Sequence, residues 1–113
     1  MGFFFSSRRL SEWSKKMKEA VDAASQFPPF GGNDVYFTTH ELTDSIKIHG
    51  KVYYDPDAYV GSGWSQHKLT RQEAQDMFLD SVQTWVSMKC SDLEGPVPTI
   101  KGTFYVVKDH WKY

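Results

Sequence analysis

The sequence has little cysteine, no long apolar run and no excess of one charge. Cys90 is the single cysteine among 113 residues, so no disulfide can form within the chain, and a reducing compartment is the simplest interpretation. No apolar stretch approaches the roughly 20 residues that cross a bilayer. The apolar residues 3–5 are too few for the core of a signal peptide. We therefore expect a cytoplasmic protein, or a virion component that is made in the cytosol.

The charges nearly cancel, with 13 basic and 14 acidic residues and a formal net charge of −1. Proteins that bind nucleic acid generically are usually basic, so this balance argues against that class but leaves room for a local basic patch. Aromatic residues make up 16% of the chain. Such a composition favours a packed domain over a disordered chain and leaves aromatic surface for a partner.

Hydrophobic periodicity predicts two amphipathic helices. The first covers residues 6–27 and ends at Pro28 and Pro29, because proline lacks the amide N–H and restricts the residue before it. The second covers residues 69–90 and begins with a capping box, in which Thr70 and Glu73 each satisfy a backbone N–H. The predicted buried stripes are Leu10, Trp13, Met17, Ala20, Ala24 and Phe27 in the first helix, and Ala74, Met77, Phe78, Ser81, Val82, Trp85 and Met88 in the second.

Residues 35–40 and 45–54 are rich in β-branched and aromatic residues and predict two strands joined as an antiparallel hairpin. Residues 99–108 predict the last strand, and residues 64–68 form either a short strand or the approach to the second helix. The chain is expected to be one α+β domain, residues 1–113. Its predicted architecture is an antiparallel sheet of three to four strands with two helices packed on one face, in the order α-β-β-(β)-α-β.

Aromatic residues are concentrated in an N-terminal arm, residues 1–5, and a C-terminal tail, residues 109–113. Aromatic side chains are enriched where protein interfaces form. The predicted partner-binding residues are Phe3, Phe4, Phe5, Trp111 and Tyr113. The element order is also similar to that of small phage tail-completion and head–tail joining proteins. This resemblance implies a non-enzymatic assembly or adaptor protein that binds a protein partner or copies of itself.

The second predicted strand carries basic and aromatic residues on its outward side, and the last strand extends this face if the two strands are neighbours. Basic side chains interleaved with aromatic ones are typical of sheets that bind single-stranded nucleic acid. The residues of this alternative site are Lys47, His49, Lys51, Tyr53, Lys101 and Tyr105. An ordinary solvated strand face, on which lysines discourage edge pairing, is the competing interpretation.

The residue patterns predict no enzyme, metal site, cofactor or small-molecule substrate. His40 and Glu41 are followed by Asp44 where the zinc-protease motif requires a second histidine. Asp55 and Asp57 flank a proline and suit a turn, without the remaining ligands of a calcium loop. Cys90 is expected to pack at the end of its helix.

Two short motifs lie outside the predicted helices and strands. Gly2 and Ser6 fit loosely the pattern for N-terminal myristoylation, so membrane attachment is expected only if Gly2 is acylated. Gly61 and Gly63 are expected to give Trp64 the freedom to tuck against the core.

Overall fold

The computed structural model describes the backbone of residues 2–109 and the side chains of residues 8–109. In chain order, the elements are α1 (Gly2–Ser25), β1 (Phe30–His40), β2 (Ser45–Tyr54), β3 (Tyr59–Val60), β4 (His67–Lys68), α2 (Arg71–Lys89), β5 (Thr99–Lys101) and β6 (Tyr105–Lys108). A short 3-10 helix, Gly63–Ser65, connects β3 to β4, which pair as a small hairpin. The predicted element order is confirmed, and the optional third strand is this small hairpin.

Strand β2 is the centre of the main sheet. β1 pairs with it antiparallel up to His40 opposite Ser45, while β5 and β6 both pair with its other edge in parallel. β5 and β6 are thus two halves of one strand, interrupted at residues 102–104. The α+β class, with two helices and a mostly antiparallel sheet, is confirmed. The last strand runs parallel to β2 because α2 carries the chain back along the sheet before β5 begins.

Both helices cover the same face of the sheet. Residues of β2 alternate between buried and more exposed positions along the strand, with a half-buried glycine, Gly50, on the buried side. Phe78 is fully buried and makes edge-to-face contacts with Phe30 and Phe104, at centroid distances of 5.1 and 5.3 Å. The buried apolar residues of the helices are Leu10, Trp13, Met17, Ala20, Val21 and Ala24 on α1, and Ala74, Phe78 and Val82 on α2. Most of the predicted stripes therefore face the sheet.

Three residues of the predicted stripes are exposed instead. Met77 and Met88 lie on the flank of α2 that faces solvent, because the buried line of this helix follows a spacing of four residues from Ala74. Phe27 lies beyond the end of α1 and is also exposed. Trp85 is half-buried and stacks on Phe27 with a centroid distance of 6.3 Å. The predicted α2 stripe was therefore too broad.

Strand β1 begins at Phe30, five residues before its predicted start, so residues 31–33 belong to it. The pairing with β2 is irregular between Phe30 and Asn33. The Asn33 amide donates to the carboxylate of Asp22 at 2.9 Å and to the hydroxyl of Ser25 at 2.8 Å, and its carbonyl accepts from Lys18 at 2.8 Å. These contacts tie the irregular start of β1 to α1. Helix α1 also begins four residues before its predicted start.

Candidate nucleic-acid interface

The face of the main sheet opposite the helices brings together all six residues of the predicted basic strand face. Lys47, His49, Lys51 and Tyr53 alternate along β2, and alternate residues of a strand point to the same side. The parallel register sets Lys101 beside Lys47 and Tyr105 beside Lys51. The six residues are Lys47, His49, Lys51, Tyr53, Lys101 and Tyr105. The two strands are neighbours, which is the condition that the sequence left open.

Tyr36 on β1 adds an aromatic ring that the sequence analysis missed. It lies opposite His49 in the antiparallel register, and the two rings stack with a centroid distance of 4.7 Å and an interplanar angle of 11°. The Thr38 hydroxyl lies 2.9 Å from His49 Nε2 and holds the imidazole in place. The alternation of Tyr36 with Val35, which is buried, could have placed Tyr36 on the open face of the sheet. Together with Tyr36, the six residues are called the tyrosine–lysine face below.

Positive charge predominates on this surface. Lys47 and Lys101 are direct neighbours in register, and neither forms an ion pair within the part of the chain that the structure describes. Like charges on adjacent strands repel each other, so an anion bound between them would remove a destabilising interaction. Lys51 lies over the Tyr53 ring, 5.8 Å from its centroid, and faces Asp34 across the ladder.

The face ends in a concavity beside the turn between β1 and β2. This concavity has a volume of about 650 Å³, and its lining residues are Thr39, His40, Glu41, Leu42, Thr43, Lys47 and Lys101. The lining therefore includes two basic residues, one acidic residue and a histidine. The arrangement can accept the phosphate of a chain that runs along the sheet.

The predicted partner-binding residues fall outside what the structure describes. The backbone of Phe3, Phe4 and Phe5 belongs to the first turns of α1, but their side chains are not among those described. Trp111 and Tyr113 follow the last described residue. Their proposed roles therefore stay predictions.

Two other large apolar side chains are almost fully exposed. Trp64 lies at the tip of the β3–β4 hairpin, and Leu42 lies in the turn between β1 and β2. The expectation that Trp64 tucks against the core is wrong, because its side chain is fully exposed and residues 61–68 are all exposed. Since β2 runs from one turn towards the other, the two residues lie at opposite ends of the sheet.

The remaining candidate groups occupy structural positions. Among residues 8–109, no three His, Cys, Asp or Glu side chains lie close enough together to hold a metal ion. Asp55 accepts the backbone N–H of Asp57 at 2.8 Å, which is a turn contact. Burial raises the pKa of the Cys90 thiol, so little reactive thiolate forms near neutral pH. Neither described helix is long and apolar enough to cross a membrane.

Comparisons of the chain with protein-family models, with curated proteins and with solved structures gave no match.

Proposed function

We propose that the protein is a non-enzymatic binding module that holds single-stranded nucleic acid on its tyrosine–lysine face. The observation that carries the proposal is the convergence of three lysines, three tyrosines and a stacked histidine on the sheet face that α1 and α2 leave open in the described part of the chain. Aromatic rings accept unstacked bases of any sequence, and the lysines neutralise phosphates. A net charge near zero is compatible with this role, because the basic groups are gathered on one surface.

The size of the surface fits a short segment of nucleic acid. From Lys47 to Tyr53, β2 extends about 20 Å at the usual rise per residue. Sheets of the RNA-recognition type hold two or three stacked bases on a comparable platform. The stacked Tyr36–His49 pair and the exposed Tyr105 offer rings on either side of the central strand.

A single strand fits this surface better than a duplex does. Both helices pack on the covered face of the sheet, so neither is free to enter a major groove. Bases inside a duplex are stacked on each other and do not offer their faces to protein aromatic rings.

The proposal is tested by fluorescence anisotropy with short labelled oligonucleotides of single-stranded DNA and RNA over a series of salt concentrations. Lys47→Ala combined with Lys101→Ala should weaken binding and reduce the salt dependence by about two released counterions. Tyr36→Ala and Tyr105→Ala should weaken binding with little change in salt dependence. Lys108→Ala is the matched control, because Lys108 belongs to the same strand as Tyr105 but pairs with buried Tyr54. Absence of binding at low salt, or an equal effect of Lys108→Ala, would contradict the proposal.

A second candidate function is protein assembly, of the tail or connector type suggested by the element order. The observation that favours it is the exposure of Trp64 and Leu42 at opposite ends of the sheet. Exposed large apolar residues are typical anchors of interfaces, and the predicted aromatic ends would add to them. In this case the partner is another protein or a second copy of the chain.

Size-exclusion chromatography over a range of concentrations tests the assembly candidate. Self-assembly predicts particles larger than the 13.0 kDa monomer, and Trp64→Ser or Leu42→Ser should shift them towards the monomer. A strict monomer that also captures no protein from its source would count against assembly.

A further inference from the structure

His67 is the residue through which the exposed β3–β4 hairpin contacts helix α2. Its Nε2 lies 2.8 Å from both carboxylate oxygens of Glu73, and its Nδ1 lies 2.7 Å from the carbonyl oxygen of Ser65. A carbonyl oxygen and a carboxylate accept hydrogen bonds and donate none. Each ring nitrogen must therefore carry a proton, so the geometry is that of a charged imidazolium.

Glu73 serves two elements at once. Its carboxylate accepts the backbone N–H of Thr70 at 3.0 Å and the Thr70 hydroxyl at 2.9 Å, which completes the capping box at the start of α2. The same carboxylate accepts from His67 of the hairpin. The helix cap thus holds the carboxylate in place for the imidazolium.

Apart from this contact, the hairpin is attached at its base, where Val60 packs against the core and the Leu69 N–H donates to the Ala58 carbonyl oxygen at 2.8 Å. β3 and β4 share only the pairs of Tyr59 with Lys68 and of Val60 with His67. The turn between them is closed by contacts of Ser62 with Ser65, which lie within the hairpin itself. Because residues 61–68 are exposed beyond this base, the contact of His67 with Glu73 holds the outer part of the hairpin against α2.

We propose that the β3–β4 hairpin, which carries Trp64 at its tip, is a pH-sensitive element latched onto the first turn of α2 by protonated His67. A neutral imidazole has a single N–H. Loss of the second proton removes the charge that attracts the Glu73 carboxylate, and it leaves a lone pair facing either that carboxylate or the Ser65 carbonyl. In either case the link between His67 and α2 weakens, and the outer part of the hairpin becomes freer to move while the capping box of α2 stays intact.

The pH range of the latch follows from the two partners. The Ser65 carbonyl and then the Glu73 carboxylate raise the pKa of His67 above its ordinary 6.5. The Thr70 N–H and then His67 lower the pKa of Glu73 below its ordinary 4.5. The His67 contribution is complete below pH 6.5 and is lost as the pH rises through the raised pKa. The Glu73 contribution is complete above pH 4.5 and is lost as the pH falls through the lowered pKa.

The contact is therefore complete between pH 4.5 and pH 6.5, the ordinary pKa values of glutamate and histidine. The latch opens at alkaline pH, when His67 loses its second proton. The other charged groups beside the contact are few. Lys68 follows His67 directly, and its ammonium pairs with Asp57 at 3.6 Å. Arg71 lies in the first turn of α2.

Nuclear magnetic resonance of the ¹⁵N-labelled full chain tests the proposal. Both ring nitrogens of His67 should be protonated at about pH 6, and its pKa should exceed the ordinary value. The backbone amides of residues 61–66 should become more mobile on the nanosecond timescale at about pH 9, while the amides of α2 keep their order. A His67 ring with one protonated nitrogen at about pH 6, or a hairpin whose motion ignores pH, would overturn the proposal.

Two variants separate the latch from the helix cap. Glu73→Gln keeps a capping-box acceptor but removes the charge, so the His67 pKa should fall towards 6.5 and the hairpin should become mobile at a lower pH than in the unsubstituted protein. Thr70→Ala removes part of the cap but keeps the carboxylate, so His67 should stay protonated and the hairpin ordered at about pH 6. If Thr70→Ala frees the hairpin as Glu73→Gln does, the ordering comes from the helix cap and the latch is refuted.

Discussion

The two faces of the main sheet are built from the same strands but have opposite surroundings. Towards the helices, β2 presents Ile46, Val52 and Tyr54 with no exposed surface. Towards solvent, it presents lysines and aromatic rings that contact mainly each other. Burial of apolar area supplies most of the folding free energy, and it lies on the covered face. The open face can therefore carry a binding surface at little cost to the fold.

The two faces should differ most in how much stability is lost when an aromatic residue on each of them is truncated to alanine. Phe78→Ala removes a fully buried ring that packs against two others, and it should lower the free energy of unfolding by about 3 to 5 kcal/mol. Tyr105→Ala on the open face should change it by about 0.5 kcal/mol or less. Urea denaturation of both variants gives the comparison, and equal losses would contradict the assignment of the two faces.

Trp85→Ala refines this comparison, because truncation of a Trp85 buried as the sequence predicts would lower the free energy of unfolding by about 3 to 5 kcal/mol. The side chain is half-buried and lies at the edge of the core, stacked on exposed Phe27. We therefore expect a loss clearly smaller than that of Phe78→Ala under the same denaturation conditions. A loss as large as at Phe78 would show that the edge of α2 is more tightly packed than this structure has it.

A substitution in the middle of β2 should disturb both faces together. Gly50 has a φ of +105°, and a Cβ added there would lie 1.8 Å from the backbone oxygen of Asp34 on β1. Gly50→Ala must push the two strands apart, and we expect a loss of about 3 kcal/mol or more. Thermal unfolding measures this loss. A variant with an unchanged midpoint would mean that the two strands are not so close at this point.

A small effect on stability, of opposite sign to the losses above, is expected at a polar atom on the covered face. The Tyr54 hydroxyl is buried and has no hydrogen-bond partner among residues 8–109, and burial raises the pKa of this phenol. Tyr54→Phe removes the unsatisfied hydroxyl, so stability should stay equal or rise by about 1 kcal/mol. Calorimetry of the unsubstituted protein and of Tyr54→Phe shows whether the substitution raises or lowers stability. A clear loss of stability would indicate that the hydroxyl has a partner.

Local signals in the sequence predicted much of this fold. The capping box of Thr70 and Glu73 is present as predicted, because it depends on residues three positions apart. The strand alternation that grouped Lys47 with Lys51 is also local. The parallel pairing of the last strand could not be predicted from the sequence, because it depends on the path of α2 across the sheet.

The candidate site shows the same division between local and long-range information. The four residues on β2 were predictable from alternation, whereas the place of Lys101 and Tyr105 depended on which strands are neighbours. Tyr36 was missed although its own strand alternates, because its stacking on His49 depends on the register across the turn. The contacts of His67 were not predicted either, because its partners Ser65 and Glu73 belong to two different elements, a turn and the start of a helix.

The most direct test of the tyrosine–lysine face is chemical-shift mapping of the ¹⁵N-labelled protein with a short single-stranded oligonucleotide at low salt. The account predicts that the shifted amides lie on β1, β2, β5 and β6, and that the shifts weaken in Lys47→Ala combined with Lys101→Ala. Shifts that cluster on α1 or α2, or a spectrum that the oligonucleotide leaves unchanged, would contradict it.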